Sequence, residues 1–88
     1  MPFVVFETDK TVVIKHPFSL ERIHYVIIPE KDIKNIGEIS EADTQYLTDA
    51  FFVARRIIEQ EKLLNYRFYT NGPGPQDVTY LHFHLIAE

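Results

Sequence analysis

Apolar side chains enter this chain first in short bursts and then in a helical rhythm. Phe3-Val4-Val5-Phe6 stops at Glu7-Thr8-Asp9-Lys10, and Thr11-Val12-Val13-Ile14-Lys15 resumes. A stretch from His16 to Arg22 then leads to Ile23-His24-Tyr25-Val26-Ile27-Ile28-Pro29. β-Branched and aromatic residues between turn-forming boundaries predict three strands, the first two a hairpin. A short helical turn is expected at Lys31 to Ile36.

The middle of the chain has a different period. Ser40-Glu41-Ala42-Asp43 reads as a capping-box start, a hydroxyl followed three residues later by an acid. At a helical spacing of about 100° per residue, Tyr46, Leu47, Ala50, Phe51, Val53, Ala54, Ile57 and Ile58 cover an arc of roughly 160°. The pattern predicts one long amphipathic helix from Glu41 to Leu64. Phe52 falls on its polar side with Gln45, Asp49, Arg56 and Glu59. Strand signals return at Tyr66 to Asn71 and at Gln76 to Ala87, separated by Gly72-Pro73-Gly74-Pro75, a loop that stops regular structure and stiffens the turn. Three strands, helix and two strands without βαβ alternation give an α+β domain: a five-stranded antiparallel sheet with one long and one short helix.

Composition narrows the class. Eighty-eight residues suffice for one domain, 1–88, and 45% hydrophobic side chains with seven Phe and five Tyr give it a core. Without cysteine there is neither a disulfide framework nor a thiolate metal site. Nine basic against thirteen acidic residues, with no basic cluster, argue against a nucleic-acid partner. The apolar runs are far shorter than the roughly 18 residues a membrane span needs. The N-terminus lacks the basic lead of a secretory signal, so a cytoplasmic protein without a membrane partner is expected.

The chemistry concentrates in the last predicted strand. Alternation there sends Leu81, Phe83 and Leu85 to one face and Gln76, Val78, Tyr80, His82, His84 and Ile86 to the other. Tyr80, His82 and His84 then form a row at intervals of roughly 7 Å, just after a Gly/Pro loop whose backbone N–H groups can approach an anion. Two imidazoles and a phenol beside such a loop suggest phosphate chemistry. Two other readings of the same residues stay open. The histidines can occupy the solvent side of a one-sided sheet without function, or they can ligate an ion with His24 as a third donor.

The segment Gln76-Asp77-Val78-Thr79-Tyr80-Leu81-His82-Phe83-His84-Leu85 resembles the signature strand of the histidine-triad nucleotide-binding family, in which Gln-x-Val-x precedes three histidines separated by single apolar residues. Ile23-His24-Tyr25-Val26-Ile27-Ile28-Pro29-Glu30-Lys31-Asp32-Ile33 resembles that family's strand with a His near its start and Ile-Pro-Lys at its end. Tyr66-Arg67-Phe68-Tyr69-Thr70-Asn71-Gly72 resembles the strand that delivers an Asn into the phosphate loop. The likeness runs from about Phe6 to Ile86. It departs at the first triad position, where Tyr80 stands for His, and after the loop Gln, where Asp77 stands for a small hydroxyl residue. The acid that in many members holds the ribose aligns with His16.

The resemblance implies attack by His82 on the α-phosphorus of a nucleoside phosphoramidate or related nucleotide, through a nucleotidyl-His82 intermediate. His84 would bond a phosphate oxygen or the leaving group, and Tyr80 would join His24 in a supporting relay. Asn71, Gly72, Gly74, Gln76, Asp77 and His16 would line the nucleotide and phosphate subsites. No metal or other cofactor is implied. The partner is a purine nucleotide or nucleotide conjugate, and a weakly active or inactive nucleotide-binding module or a dimeric scaffold is the alternative. A homodimer is expected because the helix has more apolar face than one small sheet covers. The resemblance adds that Tyr66–Asn71 would lie at a sheet edge needing a partner.

Overall fold

The computed structural model describes residues 4–74 and 80–88. Five strands, β1 (Val4–Glu7), β2 (Thr11–Lys15), β3 (Ile23–Pro29), β4 (Tyr66–Tyr69) and β5 (Phe83–Ala87), pair antiparallel in the order β1-β2-β3-β5-β4. One long helix, α1 (Thr44–Gln60), packs on β2 and β3. Ala50, Val53, Ala54 and Ile57 are its buried stripe, and they meet Val13, Ile27, Phe83 and Leu85 from the sheet. Both alanines sit in that stripe, so the helix axis can lie close to the strands. Phe51 on α1, Phe68 on β4 and Phe83 on β5 form a three-ring cluster with centroids 5.1 to 5.6 Å apart, which fastens the helix to the β4 side of the sheet.

The hairpin turn is fastened to the helix by polar groups. Thr8 Oγ1 accepts from the N–H groups of Lys10 and Thr11 and donates to Asp49 Oδ2 at 2.5 Å, and the Thr11 hydroxyl donates to the same oxygen at 2.6 Å. The sequence places Asp49 on a solvated face; the structure turns it to these two hydroxyls, because a fully buried Thr11 requires an acceptor.

Three boundaries of the helical segments differ from the sequence reading. The expected helical turn at Lys31 to Ile36 is replaced by a 3₁₀ turn at Ile36–Glu38. Ile33 is buried as an anchor and its carbonyl accepts from the Leu81 N–H at 2.6 Å, which holds the preceding residues out of a helix. The Asn35 side chain then accepts from the Gly37 N–H and opens the turn. At the start of the long helix the Ser40 N–H donates to Asp43 Oδ2 across a 3₁₀ turn, Glu41–Asp43, before α1 begins at Thr44. The helix ends at Gln60, four residues before the apolar pattern does, since Lys62 takes a left-handed conformation with φ 53° while Leu63 continues into the core. An apolar residue that closes a helix end is indistinguishable by period from one more turn.

Candidate functional site

Side chains alternate along β3 and β5, so the strands that seal the core also present His24 and His84 on the face α1 leaves uncovered. Each imidazole has a buried apolar residue directly across the ladder: Ile86 opposite His24, and Val26 opposite His84. The regular strand begins only at Phe83. His82 lies in the extended chain just ahead of it and Tyr80 at a bend, a shorter β5 than the sequence predicts. Leu81 is nonetheless buried and His82 half-exposed, so the alternation of faces continues beyond the ladder.

Four imidazoles form a continuous row. His16 stacks on His24 with centroids 4.3 Å apart and planes at 19°; His24 meets His84 edge-on at 5.1 Å; and His84 meets His82 at 5.0 Å. The Tyr80 ring follows at 5.6 Å from His82. Hydrogen bonds fix the rings. His24 Nε2 and His84 Nδ1 are 2.8 Å apart, and His24 Nδ1 lies 2.7 Å from Ser19 Oγ. His82 Nδ1 is 3.0 Å from the Tyr80 carbonyl oxygen, which can only accept, so in the neutral ring the hydrogen sits on Nδ1 and the lone pair on Nε2. His16 Nδ1 accepts from the Phe18 N–H at 3.2 Å, leaving its Nε2 as a donor.

This arrangement alters the expected relay. Both ring nitrogens of His24 are engaged, one by Ser19 and one by His84, so its partner on the last strand is His84 and not Tyr80. The same short N···N contact fills the space an ion bridging those two rings would take, and among the described residues no three His, Asp or Glu side chains are grouped to hold a metal. Burial foremost, then the neighbouring His82, His24 and His16, push the His84 imidazole down to about 4. Burial and His16 lower His24 as well, against a smaller opposing pull from Glu21.

The remaining sequence candidates fall as follows. Thr70 Oγ1 donates to the His82 carbonyl at 2.7 Å, so the segment carrying half-buried Asn71, Gly72 and Gly74 leaves β4 from a point tied to the histidine row. Among the described residues, a Cβ at Gly72 or Gly74 would meet no atom within 4 Å. Gln76 and Asp77 lie outside the described residues. Three contributors escaped the sequence reading. Ser19 sits in a loop with no periodicity to mark it. Thr70 is visible only once the strand register is known. Tyr69 is register-paired with His84, its ring stacks on that imidazole at 5.0 Å, and the Arg67 guanidinium lies 5.8 Å from the Tyr69 ring centroid. Phe18 and Leu20, in the same loop as Ser19, are almost wholly exposed.

A sheet of this order, with a row of imidazoles on its uncovered face, defines a class, and the comparisons agree with it. A family model described as scavenger mRNA decapping enzyme C-term binding matches residues 2–88. The chain belongs to the histidine-triad family. Among its relatives, an uncharacterized HIT-like protein of Chlamydia trachomatis is 33% identical over 86 residues, 94% of this chain and 78% of that protein. The purine nucleoside phosphoramidase of Escherichia coli K12 is 30% identical over 88 residues, 96% of this chain and 74% of the enzyme. The HIT family hydrolase from Clostridium thermocellum superposes with a TM-score of 0.89 at 29% identity, over 100% of this chain and 80% of that one. The HIT family hydrolase from Legionella pneumophila gives 0.90 at 26% identity, over 99% and 81%.

Proposed function

We propose that this chain is a nucleotide hydrolase or transferase that cleaves a purine nucleoside phosphoramidate or related nucleotide conjugate through a nucleotidyl-His82 intermediate. The observation that carries this reading is the hydrogen bond between His82 Nδ1 and the Tyr80 carbonyl, which leaves Nε2 as the nucleophile in a neutral ring. In the first half-reaction His82 Nε2 bonds to the α-phosphorus and the bond from phosphorus to the leaving nitrogen breaks. That nitrogen keeps the electron pair and takes one proton from solvent. In the second half-reaction water adds to phosphorus, the His82–phosphorus bond breaks, and one proton is released. His84, 5.0 Å from His82 by ring centroid, is placed to bond a phosphoryl oxygen. The similarity to the E. coli purine nucleoside phosphoramidase supports this substrate class.

The other subsites follow from the same reading. Among the described residues nothing crowds Gly72 or Gly74, which gives a phosphate room to approach that backbone, and the resemblance assigns Asn71, Gln76 and Asp77 to the same subsite. Exposed Phe18 and Leu20 offer apolar surface for a purine ring. His16 meets the sugar as a donor through Nε2, where a carboxylate would accept. The expected outcome with an adenosine phosphoramidate is an acid-labile nucleotidyl adduct on His82, found by mass analysis, and a loss of turnover on the order of a thousandfold or more in His82→Ala. Unchanged turnover in that variant would rule the mechanism out. Tyr80 at the first triad position favours a second reading, binding without turnover. It predicts a thermal shift with a purine mononucleotide and no hydrolysis.

The working unit we infer is a homodimer. Phe51, Phe52 and Tyr66 remain substantially exposed, and a cavity lined by Phe51, Ala54, Arg55, Ile58, Tyr66 and Phe68 opens beside β4, one of the two edge strands. A second copy would cover both the apolar face and the open ladder edge. Sedimentation equilibrium at micromolar concentration should give twice the chain mass, and a stable monomer would remove the proposal.

A further inference from the structure

We propose that Ser19 is a positioning residue: its hydroxyl sets the tautomer of His24 and, through it, makes His84 Nε2 a hydrogen-bond donor toward the substrate phosphoryl group. The inference rests on the hydrolase reading for its consequence in turnover, while the tautomer itself is a property of the free protein.

Three groups in a row share out their hydrogens. Ser19 Oγ accepts from the Glu21 N–H at 3.1 Å and has one hydrogen of its own to place. Among the described residues the acceptor placed to take it is His24 Nδ1, 2.7 Å away. With that nitrogen accepting, the hydrogen of a neutral His24 is on Nε2, which then donates to His84 Nδ1 at 2.8 Å. A neutral His84 whose Nδ1 accepts carries its hydrogen on Nε2. The reverse chain would have Ser19 accept from both Glu21 and His24 and leave its own hydrogen to solvent, giving up the 2.7 Å acceptor beside it. It would also turn a bare Nε2 lone pair of His84 toward the site, where it repels a phosphate oxygen.

The rest of the site keeps the pair in the state this requires. Burial and the surrounding imidazoles hold both His24 and His84 below their ordinary range, so near pH 7 both rings are neutral. The groups facing them are His16, stacked on His24, His82 and Tyr69 beside His84, and Glu21, which favours the charged form of His24. Stacking by His16 at 4.3 Å and by Tyr69 at 5.0 Å fixes the two ring planes, leaving the position of the hydrogens as the remaining freedom. The loop that carries Ser19 is anchored at its far end by Arg22, whose guanidinium donates to the Glu88 carbonyl at 2.6 Å.

The experiment compares the full chain with Ser19→Ala and Ser19→Thr, using ¹⁵N imidazole spectra at pH 7.5 without ligand and the pH profile of adenosine phosphoramidate turnover. The expected result is a protonated Nε2 on His84 in the parent and in Ser19→Thr. In Ser19→Ala the hydrogen should shift toward Nδ1 of His84, and kcat/KM should fall on the order of tenfold with an altered acid limb. A parent His84 with an unprotonated Nε2, or a Ser19→Ala spectrum like that of the parent, would overturn the proposal. So would a shifted tautomer with unchanged turnover. If His82→Ala retains full turnover, the hydrolase reading fails by itself, and the spectra still decide whether Ser19 sets the tautomer.

Discussion

On the helix-covered face of the sheet, Val13, Ile27, Phe83 and Leu85 are buried against α1 and one another. On the opposite face, the same two central strands present His24 and His84, each across the ladder from a buried Ile86 or Val26. The covered face asks of each position a volume, because close-packed interiors resist any change in shape. The open face asks for a direction, since what matters there is which ring nitrogen carries a hydrogen and where it points. Because consecutive residues of β5 serve the two faces in turn, neither can slip in register without the other. The imidazoles of the open face are themselves partly buried, so packing and acid–base behaviour are joined there.

The comparison is sharpest when one strand is cut on each side. Leu85→Ala removes a fully buried side chain and should lower stability by about 2 to 5 kcal/mol, measured by urea denaturation. His84→Ala one residue earlier should cost far less stability and, on the proposed function, most of the turnover of an adenosine phosphoramidate. Equal stability losses would mean that the open face is as much a packing surface as the covered one.

Acid should reach the open face through its imidazoles. The folded state holds His84 at about 4 against an ordinary value of 6.5, so the unfolded chain binds the proton that the native ring refuses. Stability is therefore unaffected by this group above about 6.5 and falls as pH is lowered from about 6.5 to about 4, with His24 adding in the same direction. His84→Asn should flatten that decline in denaturation curves recorded between pH 7 and 4. A decline of undiminished slope in the variant would place the acid sensitivity elsewhere.

The smallest effect concerns Tyr80. Its carbonyl orients His82, and a side-chain replacement leaves a carbonyl in place. Tyr80→His should keep the fold within about 0.5 kcal/mol, as expected of a substitution at an exposed residue, and raise the single-turnover rate. A lower rate would give the phenol a task of its own.

What could be read from the sequence divides along the same line. Val12-Val13-Ile14, Ile27-Ile28 and the stripe from Ala50 to Ile57 declare themselves, because burial imposes a period that a single chain displays. The histidines of the site were visible as residues, and their association through the resemblance. Their hydrogen-bonding order was not. Whether His24 meets Tyr80 or His84 depends on the β3–β5 register, and the role of Ser19 depends on how a seven-residue connection folds back over the strand. Asp49 was misread for a related reason: helical period assigns it to solvent, and only the path of a distant hairpin turn brings two hydroxyls to it.

The order β1-β2-β3-β5-β4 bears on the time course of synthesis. β5 follows every other strand in the chain and yet lies between β3 and β4. As the polypeptide emerges from a ribosome, β2 and β3 can each pair with the strand before it, while β4 must wait for β5 to pair with. The aromatic side chains of β4 and the uncovered flank of α1 must therefore wait until the central gap is filled by the final strand. Non-local closure of this kind slows folding and extends the interval in which a nascent chain is open to misassembly. The strand that ends that interval also carries His84, so the sheet closes and the histidine row assembles in a single event.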